Sequence, residues 1–316
     1  MTICKGCFKP DAADYCTSCR KELFDGARVS CYLPFAPPHR DEKDFLLRSI
    51  RRPSLPRLIL KYSLQQDDKD LLLLEEGAGS HILKPVPAGN YERLQMAPAN
   101  EHLTMQLAAQ AFKIPVAPNA LIYFQNASGE TASISRRMYS STDAVKESFD
   151  EEYKSAVCYE DVAALMKKYI AAYKPQAERL FALVVFNYLF SNWGAANQNI
   201  SIVKTGYGDY LLSPAYDMIC SPMHMGRDSE ILEHSLFHGD RLSPGYNRFD
   251  YLTGIEFIDF AQRIGMLQKR AQNIIAAFTK NEITVDYLVK RSFLNEESKR
   301  LYLELYREKR ERLLIA

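Results

Sequence analysis

The sequence predicts an α+β chain of two lobes, strand-rich first and helical second, behind a short cysteine-bearing segment. Three observations carry this. From Leu58 to about Arg137, apolar residues fall in short runs separated by polar turns, the pattern of strands. From Tyr159 onward they recur at helical spacing. Ahead of both lies a stretch poor in periodic hydrophobics that carries two CxxC pairs, Cys4/Cys7 and Cys16/Cys19. The 316 residues allow two ordinary domains, and a 47% hydrophobic content can supply a core for each.

The expected units are residues 1–35, 36–140 and 141–316. Prolines and mixed charge around Pro34 to Glu42 read as a linker, and Asp44 to Arg51 as one helix, broken by Pro53 and Pro56. Leu58–Leu64, Asp70–Leu74 and Ser80–Lys84 read as strands. Asn100 to Phe112 reads as a helix, with Leu103, Leu107, Ala108 and Ala111 on one face and Asn100 as its cap. Ala120–Gln125 and Thr131–Met138 form a hairpin around residues 126–130. Helices follow over Tyr159–Tyr173 and Gln176–Phe190, then a small hairpin, Ile200–Lys204 with Tyr210–Leu212. Four helices are expected from Leu252 to the end, the last from about Asn295 through Leu314. A β-turn-β element set between helices, after a strand-rich lobe, suggests a kinase-like bilobal architecture.

Composition narrows the function classes. Forty Lys and Arg against 39 Asp and Glu give a net charge of +1, without the basic excess of nucleic-acid binders. No apolar run approaches the roughly 18 residues of a membrane helix. The first residues, Met1 to Lys5, have no apolar signal core, so a soluble, cytoplasmic protein is expected. In a reducing compartment, CxxC pairs are metal ligands more often than disulfides. Cys4-Lys5-Gly6-Cys7, eight residues and Cys16-Thr17-Ser18-Cys19 are spaced like a small zinc knuckle, two tight turns offering four thiolates to one tetrahedral ion. Four protein ligands leave no open position, so the expected Zn²⁺ is structural; it would hold a segment too small to bury a core of its own.

Several segments, in order, resemble the HipA family of bacterial serine/threonine kinases, many of them toxins of toxin–antitoxin pairs. Ser80-His81-Ile82-Leu83-Lys84-Pro85 is similar to the strand bearing the ATP lysine. Asn100-Glu101-His102-Leu103 resembles the start of the αC-like helix, and Phe186 to Asn192 the helix entering the catalytic loop. Ser213-Pro214-Ala215-Tyr216-Asp217-Met218 resembles the strand end with the metal-binding aspartate, and Arg291 to Asn295 a segment common in relatives of this length. The resemblance implies a HipA-type kinase fold with ATP and Mg²⁺ as cofactors. Lys84 would place a cation on the α/β-phosphates, and Asn199 with Asp217 would offer oxygens to Mg²⁺.

The same resemblance shows what has gone. The family's catalytic aspartate stands five residues before the metal-binding asparagine, with a histidine two positions later. Counting back from Asn199 gives Gly194, and forward again gives Ala196. Neither side chain can accept a proton. Between Glu178 and Asp209 there is no other Asp or Glu, so a slipped register does not restore the base. The phosphate-covering loop departs as well. Against a family pattern of Ser-x-x-Gly-x-Gln-x-Lys, Ser54 (the family's phosphorylation serine) and Lys61 remain, while Arg57 replaces the glycine and Ile59 the glutamine. Glycine there lets backbone approach phosphates closely; Arg57 beside Pro56 does not, although its side chain can reach a phosphate as a cation.

The expected protein is therefore a HipA-like pseudokinase that acts by binding a protein partner, an antitoxin or an active HipA-like kinase. The alternative is a slow, unorthodox kinase that autophosphorylates near Ser54. A zinc-knuckle adaptor for nucleic acid is disfavoured by the neutral charge. Trp193, the only tryptophan, reads as a packing anchor, and His81, His102, His224, His234 and His238 as surface or satisfied core residues without common metal spacing.

Overall fold

The computed structural model describes residues 2–10, 14–38, 60–74, 79–125, 130–138, 144–193, 199–226 and 236–315. The expected helix over Asp44 to Arg51 lies outside them. After helix α1 (Thr17–Phe24) come strands β1 (Tyr32–Leu33), β2 (Tyr62–Asp67), β3 (Asp70–Leu74) and β4 (His81–Pro85). Helix α2 (Ala97–Gln110) then precedes β5 (Asn119–Phe124) and β6 (Thr131–Arg136). These strands make one sheet in the order β1-β5-β6-β4-β2-β3, antiparallel except where β1 runs parallel to β5.

The pleat of the sheet divides its side chains between two environments. Leu64, Leu83, Ala120, Ile122, Phe124, Ala132 and Ile134 point to one face and pack under Tyr15, Leu23, Phe24, Val29 and Leu33 from the first 35 residues. Their neighbours along the strands, Lys84, Leu121 and Ser133, point to the other face, towards α2. That segment thus serves as the outer layer of the sheet. It is also tied to what lies behind: Phe8 is buried among the helical lobe's core, its ring 5.0 Å from that of His102 and 5.8 Å from that of Phe293.

The helical lobe comprises α3 (Ala144–Tyr153), α4 (Tyr159–Tyr169), α5 (Tyr173–Leu189), the β7–β8 hairpin (Ile202–Lys204 and Tyr210–Leu212), and short α6 (Pro222–Met225) and α7 (Pro244–Phe249). It ends in α8 (Gly254–Arg263), α9 (Gln268–Thr279), α10 (Glu282–Arg291) and α11 (Glu296–Leu313), the four helices the periodicity predicts. Asn295 caps α11, its side-chain oxygen accepting from the Ser298 amide at 2.8 Å. Among the described residues no helix is long and apolar enough to cross a membrane.

Helix α2 corrects one sequence expectation. It begins at Ala97, with Pro98 in its first turn where the missing N–H costs nothing, so Asn100 is not its cap. Asn100 is buried and bolts the helix to the other lobe: its Nδ2 donates to the Cys220 carbonyl at 2.9 Å, and its Oδ1 accepts from the Cys220 amide at 3.0 Å. Thr104 adds a 2.9 Å bond to the Tyr302 hydroxyl.

Two histidines hold this region as neutral rings. The Nδ1 of His102 pairs with Asn119 Oδ1 at 2.8 Å, and that of His224 with the Glu92 carbonyl at 2.9 Å. Burial pushes both pKa values from 6.5 down to about 4. An unfolded imidazole takes up its proton first as pH falls, so stability is intact above pH 6.5 and is lost towards pH 4. Each ring should cost about 2 kcal/mol between pH 6.5 and 5, read as a falling urea midpoint. A midpoint unchanged over that range would mean that these rings are not held neutral.

Candidate active site

The sequence places a lysine, a glutamate and an aspartate on three separate elements, and folding brings them to one buried point. Lys84 projects from β4 towards α2, and its Nζ donates to both Glu101 on α2 and Asp217 Oδ1. All three side chains are buried. Ser133, from the adjacent β6, donates to Glu101 Oε2 at 3.2 Å. Asp217 follows β8 with φ of +58°, a left-handed conformation that aspartate tolerates better than most residues. Its second oxygen, Oδ2, accepts from Lys61 Nζ at 2.5 Å.

Electrostatics orders these groups. Burial works against the ammonium of Lys84, but Asp217 and Glu101 outweigh it and hold the pKa above its ordinary value. Burial also opposes the charge on Asp217, yet Lys84 and Lys61 together hold its carboxyl well below the usual range. For Glu101, burial outweighs the pull of Lys84 and raises the pKa. Asp217 is the more firmly ionised carboxylate.

Asn199 sits beside Asp217, but its Nδ2 donates to the Asp217 backbone carbonyl at 3.1 Å. The chain entering the catalytic loop is fixed to the segment after Asp217. Asn192 Oδ1 accepts from the Ile219 amide at 3.2 Å, and the Ser191 carbonyl from the Ser221 amide at 3.1 Å. Trp193 is buried, as an anchor should be. Gly194, Ala196, Ser54 and Arg57 lie outside the described residues.

In front of this cluster opens a cavity of about 430 Å³ between the sheet and the helical lobe. Ile82, Met138 and Ile200 give it apolar wall. Among the described residues its charged lining is five cations, Lys61, Arg136, Arg137, Lys146 and Lys154, against two carboxylates, Asp150 and Asp217. Such a lining favours an anion with an apolar, planar part. Both carboxylate oxygens of Asp217 already face ammonium groups, so Asp217 does not offer a ready Mg²⁺ ligand.

The four N-terminal cysteines do fit a metal. Their sulfurs all lie within 4.8 Å of one another, with Cys7 and Cys16 3.6 Å apart. A tetrahedral ion with sulfur at about 2.3 Å needs similar spacing. Thiols of Cys19 and Cys7 hydrogen-bond to Cys4 and hold its pKa far below the ordinary value, a cluster that shares protons in a place suited to a cation. Gly6 is required by crowding, since a Cβ there would lie 2.7 Å from the Cys19 sulfur.

The fold has counterparts among known proteins. The HipA-like C-terminal domain family matches residues 58–284, well over half of the chain. The chain belongs to the HipA-like family. A chain from the Shewanella oneidensis MR-1 toxin–antitoxin complex of HipA, HipB and operator DNA is similar in fold, with a TM-score of 0.62 and 15% identity. That similarity covers 89% of this HipA-like chain and 73% of the Shewanella one. The Helicobacter pylori proinflammatory kinase CtkA aligns with a TM-score of 0.49 and 12% identity, over 74% of this chain and 87% of its own. No curated protein matches.

Reading the sequence missed three residues of the HipA-like cleft. Glu101 is the buried partner of Lys84; the available signal was that it is the one carboxylate in its helix. Lys61 is retained in the loop pattern without being given a contact. Asp150 lines the cavity from α3. His238 is an exposed surface residue, as expected, its Nε2 3.2 Å from Asp161 Oδ1 with Cys158 close by. Asp161 closes the capping box of α4, whose N-cap is Cys158, its Oδ2 accepting from the amides of Val157 and Cys158.

Proposed function

We propose that this HipA-like chain is a pseudokinase whose cleft binds nucleotide and whose biological work is done by binding a protein partner. One observation carries the reading. Lys84, Glu101 and Asp217 are assembled, while Gly194 and Ala196 stand where the family's proton acceptor and its neighbouring histidine belong. The lysine–carboxylate half of the cleft is kept, although the phosphate-covering loop has changed, and the deprotonating half is gone. A regulator that senses nucleotide has use for the first half only. The partner class is an antitoxin or an active HipA-like kinase, by analogy with the Shewanella complex. A structural Zn²⁺ on Cys4, Cys7, Cys16 and Cys19 is part of the same proposal, as is the division into units 1–35, 36–140 and 141–316. Ser54 and Arg57 are proposed contacts of the phosphates.

Titration with ATP should raise the melting temperature, because a ligand at about a hundred times its Kd adds about 2.7 kcal/mol to the native state. Radiolabelled ATP should leave no phosphate on the protein. Transfer that disappears in Asp217→Ala would overturn the inactive reading.

A second reading is favoured by Asp150. Its carboxyl lines the cavity, hydrogen-bonds to Ser201, and has its pKa raised by burial, the direction a general base needs. Without a base in the loop, an enzyme retaining its positioning groups would be slower by about 10²–10⁴-fold. This reading predicts a species 80 Da heavier, modified at Ser54, in the intact mass of the recombinant protein; the pseudokinase reading predicts none.

A further inference from the structure

We propose that the cleft takes its nucleoside polyphosphate as the metal-free anion, with the Lys61 ammonium filling the place that a divalent cation has between an aspartate and the phosphates. The proposal deepens the nucleotide-binding reading and rests on it. A magnesium ion needs oxygen ligands in a near-octahedral shell at about 2.0–2.1 Å, and it sheds water reluctantly. Of the two carboxylates that line the cavity among the described residues, Asp217 is the one beside Lys84 and Asn199. Of its two oxygens, Oδ1 accepts from Lys84 and Oδ2 from Lys61. The other expected ligand, Asn199, is not among the described residues that line the cavity. A metal entering here would have to displace an ammonium and then remain beside it.

The charge balance points the same way. Lys61 and Lys84 neutralise Glu101 and Asp217, so the cluster offers no surplus negative charge to a cation. The cavity in front of it, with five cations against two carboxylates among the described residues, offers a surplus of positive charge to an anion. The two lysines differ in freedom. Lys84 is buried and holds Glu101 as well as Asp217, whereas the Lys61 side chain is 45% exposed at the start of β2 and lines the cavity. Its four-carbon stem lets the ammonium stay on Asp217 while reaching a phosphate oxygen, as lysine does elsewhere as a point charge. Arg136 and Arg137 are less free to do so, being bonded to Asp25 and to Gly79 and Ser63 respectively.

The test is ATP affinity by isothermal calorimetry in EDTA and across a magnesium titration, on protein whose melting curve and zinc content are first shown to be unchanged by that EDTA. The metal-free anion should bind in EDTA, and apparent affinity should fall as magnesium is added, because the metal complex carries two fewer negative charges. Lys61→Met should weaken binding in EDTA by about tenfold or more, and Lys61→Arg, which keeps the charge, should restore most of it. Melting curves of both variants check that they fold, as a half-exposed side chain should allow. Binding seen only with magnesium would overturn this inference and leave the nucleotide reading standing. Binding in EDTA that is equal in Lys61→Met and the wild type would likewise overturn the role of Lys61. No binding under either condition would overturn both.

Discussion

Withdrawing metal from the four-cysteine cluster should lower the melting temperature by on the order of 10 °C. The size follows from what the knuckle holds in place rather than from the metal bonds alone. Phe8 sits in the loop after Cys7 and is buried with His102 and Phe293. Around it, the Lys5 carbonyl accepts from the Leu121 amide at 3.0 Å, and the Cys7 carbonyl from Gln110 Nε2 at 3.2 Å. The Phe8 carbonyl accepts from Arg291 Nε at 3.0 Å. One loop therefore touches β5, α2 and the start of the turn into α11. Emptying a buried phenylalanine site costs about 3–5 kcal/mol, and these hydrogen bonds would be loosened with it. Differential scanning fluorimetry after chelation, with zinc content measured in parallel, gives the result. Cys4→Ser should reproduce the loss and resist rescue by added zinc. An unchanged melting curve in protein shown to have lost its zinc would refute the structural role.

Replacing Lys84 by methionine should destabilise the protein by about 3–5 kcal/mol and abolish nucleotide binding together. The substitution leaves Glu101 buried without a cation, while Asp217 keeps only Lys61. Most of the cost comes from the stranded carboxylate, so Lys84→Met with Glu101→Gln should recover a large part of the stability and none of the binding. Chemical denaturation of the single and double variants separates the two effects. A single variant as stable as the wild type would show that Lys84 and Glu101 are not a buried pair in solution.

Much of this molecule can be read from its sequence where the signal is local and periodic. The strands around β3 and β4, the β5–β6 hairpin, the last four helices and the cysteine spacing all obey short-range rules. The losses come where tertiary contact decides. Asn100 has the chemistry of a helix cap, but a neighbouring lobe offers it the Cys220 backbone, and Pro98 starts the helix earlier. Glu101 and Ser133 acquire meaning only when α2 lies against the sheet. Lys61 is a charged residue before a strand until the chain 156 residues later returns Asp217 to it. In the stretch between Glu178 and Asp209 the reverse holds, because its lack of any other Asp or Glu is read from the sequence alone.

The layering of the sheet bears on where this protein can be cut. The HipA-like C-terminal domain match spans residues 58–284. A fragment with those ends would lose Phe24 and Leu33 from above Leu64, Leu83 and Ile134, and Tyr302 and Tyr306 from the opposite side of the molecule. Both bared surfaces would be greasy and broad. The segment shared by ancestry is thus smaller than the segment that can fold alone, and truncation should respect the latter.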